Sequence, residues 1–363
     1  AINVVSYFRF KAEIEVYFVC IKQVFSMCAC AQSILKSNIA GIKEYSEELS
    51  GLVHEFDGAR RFSWIMATGR GGVLEFILDY IRMITHLDII KFCFVVNGLN
   101  RKKDAVWMLY NRLGYFDALI AAASYKKSLQ YTCEPEFTDG SARVLDVQEL
   151  YHPLIDEPVA NSIRTDKSVL ITGSNASGKS TFLRSVGICA LLSQTLGYAT
   201  AKSYRAEKFR IYSSMALKDN LLGSESYYMV EIKSLKRIMD AAAVKSDYPV
   251  LCFIDEVLRG TNTVERIAAS SQILKGLSCA DTICLAATHD IELTGILERY
   301  YSNYHFTEEI TDNDVVFSYK LMTGRATSRN AIKLLGLLGY EKSIISQATE
   351  SAKHFEETGN WSL

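Results

Sequence analysis

Proline is scarce in this sequence, with four in 363 residues, at positions 135, 153, 158 and 249. The first 134 residues have none, so nothing there breaks a helix by removing an amide donor or by a ring clash. An excess of one charge is missing too: 40 Lys and Arg stand against 41 Asp and Glu, a net charge of −1. Residues 1–150 carry 17 of each sign, and the rest carry 23 basic and 24 acidic. Neither half is polybasic, so any nucleic-acid contact has to come from local patches. Nine cysteines and six histidines are present, but no CxxC; Cys28 and Cys30 form only a CxC. That spacing argues against a zinc framework, and scattered thiols in odd number point to a reducing, cytoplasmic compartment. Long uncharged apolar runs are lacking as well. The most apolar windows, 14–30 and 73–97, contain Glu15 and Lys22, and Glu75, Asp79, Arg82, His86, Asp88 and Lys91. A bilayer span wants roughly 20 nearly uncharged residues, so neither window is expected to cross a membrane. The chain starts at Ala1 with no Met and no basic stretch before an apolar run, and reads as an internal fragment rather than a secretory precursor. A membrane anchor upstream of residue 1 would lie outside this sequence.

What is present is ordinary for a globular protein, 49% hydrophobic and 22% charged, and long enough for two domains with a core in each. Ala105, Leu109, Leu113, Phe116 and Ile120 step along one helix face, and Leu74, Ile77, Ile81 and Ile84 do the same. Five glycines between 51 and 72 suggest a break between helices. Residues 1–130 therefore read as an all-α helical subdomain. From about 131 the texture changes. Ser168–Thr172, Val250–Ile254 and Thr282–Ala287 are short continuous apolar runs, as expected of strands buried on both faces. Helices are expected between them, over about 179–197 and along the stripe Tyr228, Ile232, Leu235, Met239 and Ala242, with another over roughly 329–357. Such alternation predicts an α/β domain with a largely parallel sheet over 131–363.

The chemistry starts with Gly173, Ser174, Asn175, Ala176, Ser177, Gly178, Lys179, Ser180 and Thr181, which fit G-x-x-x-x-G-K-[ST] between a strand and a helix. In such a P-loop the amides and the helix N-terminus face phosphate oxygens. Lys179 is expected to reach the β/γ-phosphates and the Ser180 hydroxyl to ligate Mg²⁺. Asp255 and Glu256 end an apolar run 76 residues after Lys179. Asp255 would hold the Mg²⁺ shell, and Glu256 would orient or deprotonate the attacking water. His289 ends the next run, where it is either a polar strand cap or a γ-phosphate sensor. Ser226 opens the amphipathic helix. It is either a helix N-cap, or it faces, with the helix N-terminus, a γ-phosphate held by another subunit.

Taken in order, these stretches resemble the ATPase domain of the MutS DNA mismatch repair family, an ABC-type ATPase, from about residue 144 to 350. His152-Pro153-Leu154 with Asn161 is similar to the family's opening segment. Gly173–Thr181 resembles its Walker A, and Asp219-Asn220-Leu221 with Ser226 and Met229-Val230-Glu231 its signature motif. Asp255 to Thr263 resembles Walker B running into the D-loop. Ala287-Thr288-His289 with Glu292-Leu293-Thr294 resembles the switch region, and Gly324 to Ser328 with the helices after it the dimerisation end. The resemblance implies ATP with Mg²⁺, hydrolysis to ADP and phosphate, a homodimer through the ATPase domains with Ser226 acting in trans, and mismatched or branched DNA and downstream repair proteins as partners. Residues 1–130 would be part of the family's helical core and lever. An ATP-switched scaffolding or membrane-associated relative that does not read mismatches is the alternative.

The sequence also departs from the family pattern. Ser174 stands where the family usually has Pro, Ala176-Ser177 where it has Met-Gly, and Glu225 where it often has Arg. The aromatic before Asn161 that would stack on adenine is missing. Tyr319 would stack on the base instead, or is a solvent-facing strand residue. Arg101-Lys102-Lys103, Lys126-Lys127 and the basic residues from Lys233 to Arg237 are solvated helix faces or phosphate contacts without sequence information.

Overall fold

The computed structural model of the protein describes residues 2–37, 41, 43–60, 84–139, 143–174, 176–215, 227–258, 261–310, 315–326, 332, 335 and 339–361. The chain divides into two compact units, residues 1–125 and 126–363.

The proline-free N-terminal stretch, up to Ser128, is described as helices joined by short turns. Its helices are α1 (Ile2–Lys36), α2 (Lys43–Glu55), α3 (Asp57–Arg60), α4 (Leu87–Asn100) and α5 (Lys103–Ser128). Cys28 and Ala31 of α1, Leu49, Leu52 and Val53 of α2, and Ala105, Leu109 and Phe116 of α5 form one buried cluster. The apolar stripe on α5 outruns its partners: Ile120, its last expected member, is 67% exposed. A periodic pattern shows which way a face points but not how far its covering extends. Leu74, Ile77 and Ile81 lie outside the described residues, and Ile84 is exposed. One expectation is corrected here. Tyr17–Lys36, which leaves Glu15 behind and carries only Lys22 and Lys36 as charges, is long and apolar enough to cross a membrane by length and composition. Core helices and signal sequences pass the same test; 17% of that window is buried, including Cys28 and Ala31, which pack with α2 and α5.

The second unit opens with short strands: β1 (Glu136–Phe137), β2 (Leu145–Leu150), β3 (Asn161–Thr165) and β4 (Ser168–Thr172). There follow α6 (Lys179–Leu196), β5 (Ser203–Ala206), β6 (Arg210–Ser214), α7 (Tyr227–Ala243) and β7 (Val250–Asp255). The remainder is α8 (Thr263–Cys279), β8 (Thr282–Ala287), α9 (Glu292–Ile296), β9 (Tyr301–Ile310), β10 (Val315–Thr323) and α10 (Lys342–Thr358). The strands form two sheets. The larger has order β10-β9-β4-β8-β7-β6, parallel except for the β9–β10 pair. The smaller, β1-β5-β2-β3, is mostly antiparallel.

Every residue of β4 and β8 is buried, and all but the last of β7. The alternation of strand side chains explains why all three runs are apolar through their centres. Val169, Ile171, Leu251, Phe253, Ile283 and Leu285 face α6 and the smaller sheet. Leu170, Val250, Cys252, Ile254, Cys284 and Ala286 face α7 and α8 on the other side. Both faces must therefore be apolar, and the strand ends are the first places where polar groups can emerge.

Candidate functional site

A parallel sheet delivers the C-terminal ends of its strands to one edge. Here Ile171 of β4 and Asp255 of β7 both pair with Ala287 of β8. The loops that follow these three strands are tied together by the backbone. The Thr288 amide donates to the Ile171 carbonyl, and the Glu256 amide to the Ala287 carbonyl, each at 3.0 Å. The loops after β4 and β7 border a cleft of about 1100 Å³.

The loop after β4 turns on glycine. Gly173 has φ +146°, and a Cβ there would meet the Phe306 carbonyl oxygen at 2.8 Å, so no other residue fits. Gly178 has φ +106° and caps α6. Ala176 also adopts a left-handed backbone, φ +65°. Lys179 is buried, and its ammonium bends back over the loop, donating to the carbonyls of Gly173 (2.8 Å) and Ser174 (2.7 Å). Ala176, Ser177, Gly178, Lys179, Ser180 and Thr181 all line the cleft. Asn175 lies outside the described residues.

Across the cleft, Glu256 follows β7 with φ +60°. Its carboxylate, 15% exposed, lies 3.0 Å from His289 Nε2, and that nitrogen lies 3.5 Å from Lys179 Nζ. Lys179, Glu256 and His289 thus form one chain of contacts between residues far apart in sequence. Asp255 Oδ1 and Ser177 Oγ are buried without a hydrogen-bond partner among the described residues. Orphaned oxygens in a cleft ask for a ligand. An Asp carboxylate and the neighbouring Ser180 hydroxyl are the hard oxygen donors that Mg²⁺ takes, so these residues fit the cation.

Ile155, Pro158, Val159 and Tyr319 also line the cleft. Tyr319 sits in a β-bulge of β10 with φ +52°. Its ring comes within 3.3 Å of where a Gly178 Cβ would be, and stacks on Phe317 at 5.9 Å. Asn161 holds the bulge: its amide nitrogen donates to the Tyr319 carbonyl (2.9 Å), and its Oδ1 accepts from the Leu321 amide (2.7 Å).

Ser226, Glu225, Arg259 and Gly260 lie outside the described residues, so the first part of the signature motif and part of the D-loop carry no geometry. The motif's Met229-Val230-Glu231 lies in the first turns of α7, where the buried Glu231 carboxylate accepts from the Leu258 amide. Asn262 is described, and it caps α8 by accepting from the Val264 amide at 2.9 Å. Two site neighbours, Glu308 and Arg184, had no motif to announce them. Glu308 of β9 accepts from the Ser174 hydroxyl at 2.5 Å; the Ser in place of the family's Pro was the available signal. His152 and Arg184 both line the cleft. Burial, and then the Arg184 charge, push the His152 imidazole below its ordinary pKa.

The family model described as MutS domain V matches residues 169–356, more than half of the chain. The chain belongs to the MutS family. A DNA mismatch repair protein MutS of Thermosipho melanesiensis is 30% identical over 258 residues, which is 68% of this chain and 30% of that protein. The MutS protein homolog 4 of Homo sapiens is 28% identical over 291 residues, 75% of this chain and 30% of its own length. The MutS of Lactobacillus helveticus is 27% identical over 297 residues, 78% and 34% respectively. The chain thus spans about a third of the length of these MutS relatives. The matched segment starts in β4 and ends in α10, so it contains the C-terminal ends of β4, β7 and β8.

Proposed function

We propose that this chain is the ATP-binding and ATP-hydrolysing part of a MutS-like DNA mismatch repair protein, an ABC-type ATPase domain over residues 131–363 with part of the helical core and lever over 1–130. The observation that carries the reading is the chain of contacts from Lys179, at the end of a glycine-turned loop, through His289 to Glu256, with Lys179 and Glu256 lining one cleft.

The loop amides, the N-terminus of α6 and Lys179 bind the triphosphate. Lys179 exchanges its two carbonyl partners for phosphate oxygens. Asp255 and Ser180 would hold Mg²⁺, which would supply charge neutralisation at the phosphate oxygens. Glu256 orients the attacking water and accepts its proton. His289 braces that carboxylate and faces the γ-phosphate. Tyr319 and Val159 offer an apolar platform to the base. Most of the rate gain comes from positioning and fixed charge rather than from covalent chemistry.

Two subunits sandwich two nucleotides through their ATPase domains, each lending Ser226 to the other's site. The nucleotide state then moves the helical region and sets the grip on mismatched or branched DNA, with downstream repair proteins reading that state. The nine cysteines, none of which forms a disulfide, suit a reducing compartment such as the cytoplasm.

The deciding experiment is Glu256→Ala in the full chain, with ATP affinity and phosphate release measured side by side. Affinity is expected to persist while turnover drops by about 10²–10⁴-fold. Unchanged hydrolysis would sink the assignment.

A further inference from the structure

His289 can brace Glu256 only if its own backbone is held, and an isolated residue after a strand end has no ladder to hold it. Four hydrogen bonds supply the hold on the residues either side. The Thr288 amide is bonded to Ile171 of β4. The Asp290 amide donates to the Thr288 hydroxyl at 3.0 Å, a small turn that spans His289. The Asp290 carboxylate takes both arms of the Arg266 guanidinium, Nε at 2.9 Å and Nη2 at 2.6 Å. The two side chains are largely buried, 25% and 13% exposed, and Glu292 adds negative charge near the same guanidinium. A forked, mostly desolvated pair of this kind fixes direction as well as distance.

The location of Arg266 gives the pair its meaning. It sits in the first turn of α8, immediately after the D-loop stretch, with its amide bonded to the Asn262 carbonyl at 2.8 Å. The segment 255–266 therefore grips the segment 288–290 twice, at Glu256–His289 and at Arg266–Asp290. A shift of the D-loop end of α8 must drag Asp290, and with it the imidazole next to it.

We propose that Arg266 and Asp290 are a positioning pair that sets His289 against Glu256, so that the catalytic alignment depends on where the D-loop leaves the start of α8. The proposal rests on the ATPase reading above.

The test uses Asp290→Asn, Arg266→Ala and Arg266→Lys in the full chain. Three readouts are compared: kcat, the Kd for ATP, and the His289 ring signal in ¹H–¹³C NMR of the nucleotide-free protein, assigned by its loss in His289→Gln. Asp290→Asn and Arg266→Ala are expected to lower kcat about 10- to 100-fold. The Kd should stay within about threefold of wild type. The His289 signal should move in both variants. Arg266→Lys, which keeps the charge and loses the fork, should fall in between and serves if a truncation does not fold. A pair that merely staples α8 would lower thermal stability and leave the His289 signal and kcat alone; that result overturns the proposal. So does an equal loss of affinity and turnover. A wild-type chain without ATPase activity would overturn the reading beneath it instead, while the His289 signal still tests the pair.

Discussion

Replacing Tyr319 separates the base end of the cleft from its phosphate end. Stacking of a base on an aromatic ring is worth about 1–3 kcal/mol by truncation, which converts to about a 5- to 150-fold rise in Kd. Tyr319→Ala should therefore weaken ATP binding by that factor, and Tyr319→Phe should leave it close to wild type. Tripolyphosphate, which has no base, should compete equally well for the wild type and the Ala variant, because Lys179 and the loop are untouched. The backbone adds a second, independent reading. At φ +52° a residue with a Cβ carries about 1–2 kcal/mol of left-handed strain. Glycine removes that strain but loses about 0.5–1 kcal/mol in the entropy of the unfolded chain. Tyr319→Gly should thus bind ATP as poorly as Tyr319→Ala, yet unfold at a temperature at least as high. The assays are a fluorescent-nucleotide titration with competition, and a thermal melt without nucleotide. An Ala variant with wild-type affinity would remove the ring from the site, and a Gly variant that melts well below the Ala variant would remove the bulge.

Gly173→Ala places a methyl 2.8 Å from a backbone oxygen; the loop must move, and ATP affinity should be lost with about 1–3 kcal/mol of stability, as titration and denaturant unfolding would show. His152 is held below its ordinary pKa in the folded chain, so its contribution to stability is complete above the unfolded value, about 6.5, and shrinks as pH falls through it. Melts of wild type and His152→Gln should diverge with pH in that window, and parallel curves would contradict it. Mixing Ser226→Ala subunits with Lys179→Ala subunits should regenerate one working composite site per mixed pair. No recovery of hydrolysis in the mixture would refute sharing in trans.

The parts of this molecule that the sequence announces are those where one physical demand acts on neighbouring residues. The strands β4, β7 and β8 are buried on both faces, so each is apolar through its centre, with buried Ser168, Thr172 and Thr282 only at strand ends. The loop after β4 needs glycines at fixed spacing, and α7 shows its buried stripe, with Leu235 fully covered. What stays hidden comes from contacts across the sequence. Tyr319 touches the loop at Gly178 only because β10 bulges, and the bulge depends on Asn161 from another sheet. Arg266 and Asp290 are ordinary charges until the fold brings them to 2.6 Å. The smaller sheet was not foreseen either, since β1 and β5 have only two and four residues and leave little room for a pattern. Ile120 errs in the opposite direction, because α5 continues past the helices that would cover it.

The complete burial of β4 and β8 has a consequence for how the molecule opens. Amides in the centre of these strands can exchange with solvent only when the whole unit unfolds, whereas loop amides exchange through local openings. Lys179, Glu256 and His289 are each attached within a residue or a short loop of such a strand end, so their anchors belong to the last structure to be lost. The recognition loops around them can loosen and re-form with each nucleotide while the three anchors keep their spacing.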